Sequence, residues 1–297
     1  MINTLNKTKS ILNKFNITAK KKFGQNFLVD DNILNAIKKL GEVKDDELVI
    51  EIGPGLGNLT EYLKEYNLLL IEIDNDMISI LEDRFSLSNQ NNIKLINKDV
   101  LKIDLDKEIS CIEKEKNIKF SNVKVIANLP YYITSPIIFK LLEESTKVKE
   151  IIAMVQEEVA DRISSKEKNK MYGVITIMIN YFGNSYKAIQ VPPNCFIPAP
   201  NVTSAVIKIV KENNFKDVDY DTFKELVHKA FLNRRKKMLN SLFLNNFKNM
   251  SKIELDELFK KSSIDVNVRA EELSIDKFIK ISNNVKFMVK NNLNNTL

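Results

Sequence analysis

Four short apolar runs, each stopped by a residue able to hold a ligand, constrain this chain most. Leu48-Val-Ile-Glu-Ile runs into Gly53, and Leu68-Leu-Leu-Ile-Glu72-Ile ends at Asp74. Ile93-Lys-Leu-Ile-Asn-Lys ends at Asp99, and Val123-Lys-Val-Ile-Ala runs into Asn128-Leu129-Pro130-Tyr131. Runs of this length, with helical patterns between them, predict alternating strands and helices and hence a parallel sheet. In an open α/β sheet, ligands bind past the carboxyl ends of the strands. All four stops fall there.

The first stop is glycine-rich: Gly53-Pro-Gly55-Leu-Gly57, followed by the helical pattern of NLTEYLKEY. A dinucleotide fingerprint is spaced G-x-G-x-x-G, and Asn58 stands where its last glycine would be. The G-x-G-x-G spacing therefore suits the S-adenosylmethionine version of such a loop better than a nicotinamide version. The acids of the second run follow about 20 residues later, the distance at which an acid accepts from ribose hydroxyls. Asp74 also suits the N-cap of the helix beginning NDMISIL. Glu72 is less easily ordinary, because a buried carboxylate needs partners. Pro130 ends the fourth strand. It leaves an amide oxygen (Asn128), a backbone carbonyl (Leu129) and a phenol ring (Tyr131) together, a set that can hold a planar base by its exocyclic amine and stack on its face.

Longer stretches complete the picture. They are Lys22-Phe-Gly-Gln25-Asn26-Phe27-Leu28 near the start, Val191-Pro-Pro-Asn-Cys-Phe196-Ile-Pro-Ala-Pro-Asn-Val-Thr-Ser204-Ala-Val206, and Phe231-Leu-Asn-Arg234-Arg235-Lys236-Lys237-Met-Leu-Asn-Ser-Leu242. On these motifs and the four strand ends, the chain resembles the KsgA family of small-subunit (16S-type) rRNA adenine N6,N6-dimethyltransferases over almost its whole length. It departs from the family in Ser164–Met171, where a Pro-Gly-containing stretch is usual, and at Asn233, where Gln is frequent.

The resemblance implies a Rossmann-like S-adenosylmethionine-dependent methyltransferase sheet with helices on both faces, plus a small all-α C-terminal domain. It implies a donor site of Asn26, Leu28, Gly53, Gly55, Glu72, Asp99 and Asn128, with Gln25 beside it. Glu72 would take the ribose and Asp99 the adenine of the donor. It implies a target site in which Asn128 and the Leu129 carbonyl bind the N6 hydrogens while Tyr131 and Phe196 stack on the base. The expected reaction dimethylates two adjacent adenines in the 3′-terminal hairpin of small-subunit rRNA, in a pre-30S particle. Two other readings use the same residues: a large-subunit rRNA adenine methyltransferase of the macrolide-resistance type, and a non-catalytic RNA-binding assembly factor.

Charge and domain layout agree. The net charge of +6 is one-sided, with six lysines and no acid in residues 1–22. A second acid-free stretch, Leu226–Ile253, carries seven Lys or Arg. Such patches favour phosphate backbones, and Arg234, Arg235, Lys236 and Lys237, on a predicted helix, are the expected RNA contacts. After Asp219 the strand signals give way to helical periodicity. The expected division is a basic flexible tail (1–22), a catalytic domain (23–212) and a helical RNA-binding domain (213–297). With one histidine, His228, and two distant cysteines, Cys111 and Cys195, no metal site is expected. No apolar run reaches the ~18 residues of a membrane span. A cytoplasmic monomer is the expectation.

Overall fold

In the computed structural model the described residues are 3–18, 24–212, 215 and 217–294. The chain divides into two compact units: Met1–Ala160 with Ser185–Lys211, and Asp161–Asn184 with Glu212–Leu297.

The elements of the first unit are, in chain order, α1 (Thr4–Lys14), β1 (Phe27–Leu28), α2 (Asp31–Gly41), β2 (Leu48–Ile52), α3 (Thr60–Leu63), β3 (Asn67–Glu72), α4 (Asn75–Phe85), β4 (Ile93–Asn97), α5 (Leu105–Lys116), β5 (Val123–Asn128), α6 (Thr134–Glu143) and β6 (Val148–Gln156). Then come α7 (Glu157–Ile163), α8 (Val174–Phe182) and β7 (Gly183–Val191), followed by β8 (Phe196–Ile197) and β9 (Ser204–Lys211). The division runs through α7 and β7 and leaves α8 to the second unit.

The sheet has seven strands in the order β4-β3-β2-β5-β6-β9-β7. Strands β4, β3, β2, β5 and β6 are parallel neighbours, and β9 runs antiparallel to β6. The chain steps outward from β2 to β4 and then returns to lay β5 on the other side of β2. That reversal opens a crevice at the carboxyl ends of β2 and β5, where Gly53 and Asn128 stand. Burial on both faces explains why these strands read as unbroken apolar runs instead of alternating; all five residues of β2 are buried.

A buried cation interrupts β5. Lys124 in β5 is buried, but its Nζ donates to the Gly41 and Glu42 carbonyls and pairs with Glu47 at 3.0 Å. Helix α2 runs through Gly41, and the left-handed residue that ends it is Glu42, at φ 43°. Gly41 is needed for packing, since a Cβ there would stand 2.7 Å from Ile126 Cδ1.

The expected flexible tail is largely a helix. Lys20 to Lys22 lie outside the described residues, but α1 is capped by the Asn3 side chain and docks on the sheet unit. Its Thr4 and Thr8 are buried. Thr4 N and Tyr62 Oη donate to Asp31 Oδ1, at 3.2 and 2.6 Å. Burial pushes the Asp31 carboxyl up, but bonds from Thr4 and Tyr62 outweigh it and hold the carboxyl below its ordinary value. Ile11, Leu12, Phe15 and Ile17 pack on Phe27, Leu56, Met77 and Ile80. Lysines are prominent in this stretch, and Lys14 pairs with Asp83 at 2.6 Å, but the packing is made by its apolar residues.

The second unit holds α8, α9 (Tyr220–Phe231), α10 (Met238–Leu244), α11 (Lys252–Lys261) and α12 (Ile275–Asn294). It also claims residues 161–184, which the sequence reading gave to the catalytic domain. The reason is aromatic packing. Tyr181 of α8 lies against Phe223 and Tyr220, with centroids 4.8 and 5.0 Å away. Tyr172 Oη donates to the Leu273 carbonyl at 2.8 Å, and Lys168 N to Glu271 O at 2.8 Å. The divergent Ser164–Met171 loop is thereby tied into this helical unit.

Candidate active site

A cavity of about 220 Å³ opens at the carboxyl ends of β2, β3 and β5. Asn26, Leu28, Gly53, Gly55, Glu72, Asp99, Asn128, Leu129, Pro130 and Tyr131 all line it. Gly53 and Gly55 have φ of 66° and 56°, so the loop leaving β2 follows a path that residues with a Cβ rarely take. A Cβ on Gly55 would also stand 3.2 Å from the Phe27 ring.

Glu72 is a buried carboxylate held by the main chain. Its Oε1 accepts from Ile73 N and Asp74 N, each at 2.9 Å, and its Oε2 from Gly55 N at 3.1 Å. Burial raises its pKa, and those three amides pull against the rise. A carboxylate has roughly four acceptor sites, so Glu72 keeps room for about one more donor. Asp99 caps the short turn after β4 by accepting from Leu101 N at 3.0 Å, and its other oxygen lies 3.9 Å from the exposed Lys102 Nζ. Asp74 N-caps α4, as expected, and also accepts from Gln25 Nε2 at 2.9 Å.

The strand-end motif presents acceptors. Asn128 Nδ2 donates to the Asn26 carbonyl at 3.2 Å, and its Oδ1 takes no donor among the described residues. Leu129 N donates to Met154 O at 3.1 Å, while its carbonyl takes no donor among the described residues. Pro130 packs its ring over Gly53, close to where a Cβ there would be. The Tyr131 hydroxyl is 2.5 Å from Ser204 Oγ, and burial raises its pKa.

About nine-tenths of the chain matches a known family. Residues 16–286 match the family model described as "Ribosomal RNA adenine dimethylase". The chain belongs to this family. It is 41% identical over 285 residues to the ribosomal RNA small subunit methyltransferase A of Lactococcus lactis subsp. lactis, covering 95% of each chain. It is 41% identical over 288 residues to the protein of the same name from Alkaliphilus oremlandii, covering 96% of this chain and 98% of that one. Among solved structures, it superimposes with a TM-score of 0.72 on a dimethyladenosine transferase from Plasmodium falciparum, at 25% identity over 86% of this chain and 95% of that chain. It shares its fold with the 23S rRNA methyltransferase ErmE, with a TM-score of 0.65 at 19% identity over 88% of this chain and 100% of that chain.

Two expectations need correction within this family frame. Phe196 does not reach the cavity. Its strand β8 pairs antiparallel with β1, Leu28 opposite Phe196, and the ring is 3% exposed in the core beside Leu28. It offers no face to a base. The basic run 234–237 is not helical either; it forms the turn between α9 and α10, in the helical unit. Arg234 Nε pairs with Glu271 Oε2 at 2.6 Å and Lys237 Nζ donates to Asn267 Oδ1 at 2.5 Å, whereas Arg235 and Lys236 are exposed. Side-chain partners from residues 267–271 hold the chain in a turn there.

The sequence reading also missed lining residues. Glu51 is 2% exposed in β2, and its Oε2 accepts from Thr60 Oγ1 at 2.7 Å. Burial pushes its carboxyl up to about 8. An acid inside an apolar strand marks Glu51 as plainly as it marks Glu72. Asn58 is no bystander: its Nδ2 donates to Thr8 Oγ1 and to Leu28 O, both at 2.9 Å, and its Oδ1 accepts from Arg84.

Proposed function

We propose that this protein transfers methyl groups from S-adenosylmethionine to the N6 amine of adenines in small-subunit rRNA. The observation that carries the reading is the pairing of two open acceptors, Asn128 Oδ1 and the Leu129 carbonyl, at the wall of the cavity that also holds the glycine loop, Glu72 and Asp99.

The lining fits the donor. A positive-φ glycine loop allows close approach of a ligand. A carboxylate with one open acceptor site suits a ribose hydroxyl, and Asp99 suits an adenine amine. Bound there, S-adenosylmethionine would supply a methyl group activated by its sulfonium, its S–C bond breaking to leave the neutral thioether S-adenosylhomocysteine.

The chain's own groups do the rest by placement. Adenine N6 is a poor nucleophile because its lone pair is shared with the ring. Asn128 Oδ1 and the Leu129 carbonyl accept its two hydrogens, favour a tetrahedral nitrogen and so free the lone pair. As nitrogen gains the methyl group it becomes cationic, and both acceptors bind its more acidic hydrogens more strongly. One of those protons then leaves to water, which restores a neutral amine without a strong base. This is orientation and electrostatic preorganisation. The target base must first leave its stack at a cost of a few kcal/mol, and the Tyr131 ring can offset part of it.

Family resemblance supports two adjacent adenines near the 3′ end, each dimethylated, in a partly assembled small subunit. It also supports action as a monomer in the cytoplasm. Exposed Arg235 and Lys236 are the better candidates for phosphate contacts, since Arg234 is engaged by Glu271. The test is to incubate the protein with labelled donor and either small subunits or large-subunit precursors from cells lacking the enzyme, then map the label. Label confined to the large-subunit RNA would overturn the assignment, and no label on either would favour an assembly factor without chemistry.

A further inference from the structure

Tyr131 and Tyr132 share one turn of 3-10 helix, Tyr131–Ile133, and take different surroundings. Tyr131 is half-buried with its hydroxyl on Ser204. Tyr132 is 58% exposed and still lines the cavity. Only Ile73, the residue after Glu72, compares with it among exposed large apolar side chains of the lining, at 48%.

The Tyr132 ring has one main-chain neighbour at the cavity. Its edge lies against the main chain at Gly24, where a Cβ would stand 3.6 Å from Cδ1. Burial raises the pKa of its phenol, and the charges of Asp99 and Glu72, which line the same cavity, add to the rise. Tyr131 is thus tied to the strand that carries Ser204, while Tyr132 has its hydroxyl clear of that strand and shares the cavity lining with Glu72 and Asp99. An exposed aromatic at the edge of a cavity is apolar surface that a ligand can cover, with a polar tip left for water.

We propose that Tyr132 is a donor-binding residue, which caps the nucleoside half of S-adenosylmethionine at the cavity mouth and takes no part in stacking on the target adenine. The inference rests on the donor reading of Glu72 and Asp99. It assigns the paired tyrosines separate duties: Tyr131 for the base that receives the methyl group, Tyr132 for the molecule that brings it. The ring, more than its hydroxyl, does the covering, so phenylalanine should serve in its place.

The experiment is calorimetric titration with two probes, S-adenosylhomocysteine and 5′-methylthioadenosine, the second lacking the amino-acid half. With Tyr132→Ala both should bind about tenfold or more weakly, the scale of losing one aromatic contact, and by a similar factor. Tyr132→Phe should bind both like the wild type, and small-subunit affinity should not change. Because the side chain is exposed, Tyr132→Ala should melt with the wild type; should it fail to fold, Tyr132→Leu serves in its place. Unchanged affinity for both probes in a folded variant would overturn the proposal, as would a loss confined to S-adenosylhomocysteine. So would a loss confined to subunit binding, which would give the ring to the target base. Glu72→Ala, titrated in parallel, separates the two levels: if it binds both probes normally, the donor reading itself fails.

Discussion

Replacing Glu51 by Gln should stabilise the protein, by an amount that depends on pH. The carboxyl is 2% exposed and its pKa is pushed up to about 8 by burial. Thr60's hydrogen bond and Arg84's charge pull it down, and the charge of Glu72 adds to the rise. The ordinary value is 4.5. Between those values the native chain keeps a proton that the unfolded chain has released. Stability contributed by this group is therefore complete below the unfolded pKa and is lost as pH rises to the folded one. The slope is about 1.4 kcal/mol per pH unit, or on the order of 5 kcal/mol across the window. Glutamine keeps the size and an acceptor for the Thr60 hydroxyl but has no proton to lose. Urea unfolding at a series of pH values should find the variant equal to wild type near pH 4. It should be more stable by roughly 3 kcal/mol at pH 7, with no further gain above pH 8. Subtracting the two curves cancels the other titrating groups. A difference that stays flat from pH 5 to 8 would refute the reasoning and mean that Glu51 is ionised in the native chain.

Asn128→Ala should leave subunit affinity intact while the single-turnover methylation rate falls about a hundredfold or more, the scale of losing one preorganised hydrogen-bonding group; near-normal turnover would remove Asn128 from the chemistry. Glu72→Ala should weaken S-adenosylmethionine binding by ~1.5–3 kcal/mol in calorimetry, as for hydrogen bonds to a charged group. Because Glu72 also receives three main-chain amides, the variant should melt earlier, and unchanged donor affinity in the folded variant would refute its assignment. Replacing Arg235 and Lys236 by Glu should weaken subunit binding and flatten its salt dependence by roughly 0.7–0.9 in log–log slope per lost phosphate contact. Arg234→Glu, by contrast, should chiefly lower the melting temperature, because it sets a like charge against Glu271. Wild-type salt slopes in the double variant would make the turn structural.

The cavity wall was legible because chain direction and strand-end chemistry were enough to find it. Once four apolar runs are parallel, their carboxyl ends must lie side by side, and Gly53, Glu72, Asp99 and Asn128 must converge. Phe196 escaped the same logic. Its motif says that the residue matters, but whether a ring faces a cavity or the core depends on the β1–β8 pairing, a contact between distant parts of the chain. The run 234–237 reads as helical by composition, and only its partners from residues 267–271 reveal a turn. For α1 the misleading signal was charge: six lysines suggested a solvated tail, while two threonines and four apolar residues decided where it lies. Tyr172 and Tyr181 likewise moved residues 161–184 into the helical unit through contacts that local periodicity cannot register.

The two-residue ladder between β1 and β8 sets a condition on synthesis. Phe27 waits for Ile197, and Leu28 for Phe196, partners separated by more than half of the chain. Pairings this distant form late, since the intervening loop must be closed before they return anything. Sheet strands β2 to β5 can assemble as they emerge, and Asn58 and Asn128 can then hold the wall built by Asn26 to Leu28 from one side, but that wall lacks its strand partner until the segment after β7 has left the translating ribosome. A nascent or truncated chain that stops before Phe196 would therefore carry its glycine loop and its acids in a cavity with one side only half-braced. Donor affinity should appear abruptly with chain length, as a step near residue 197, instead of growing with each added strand.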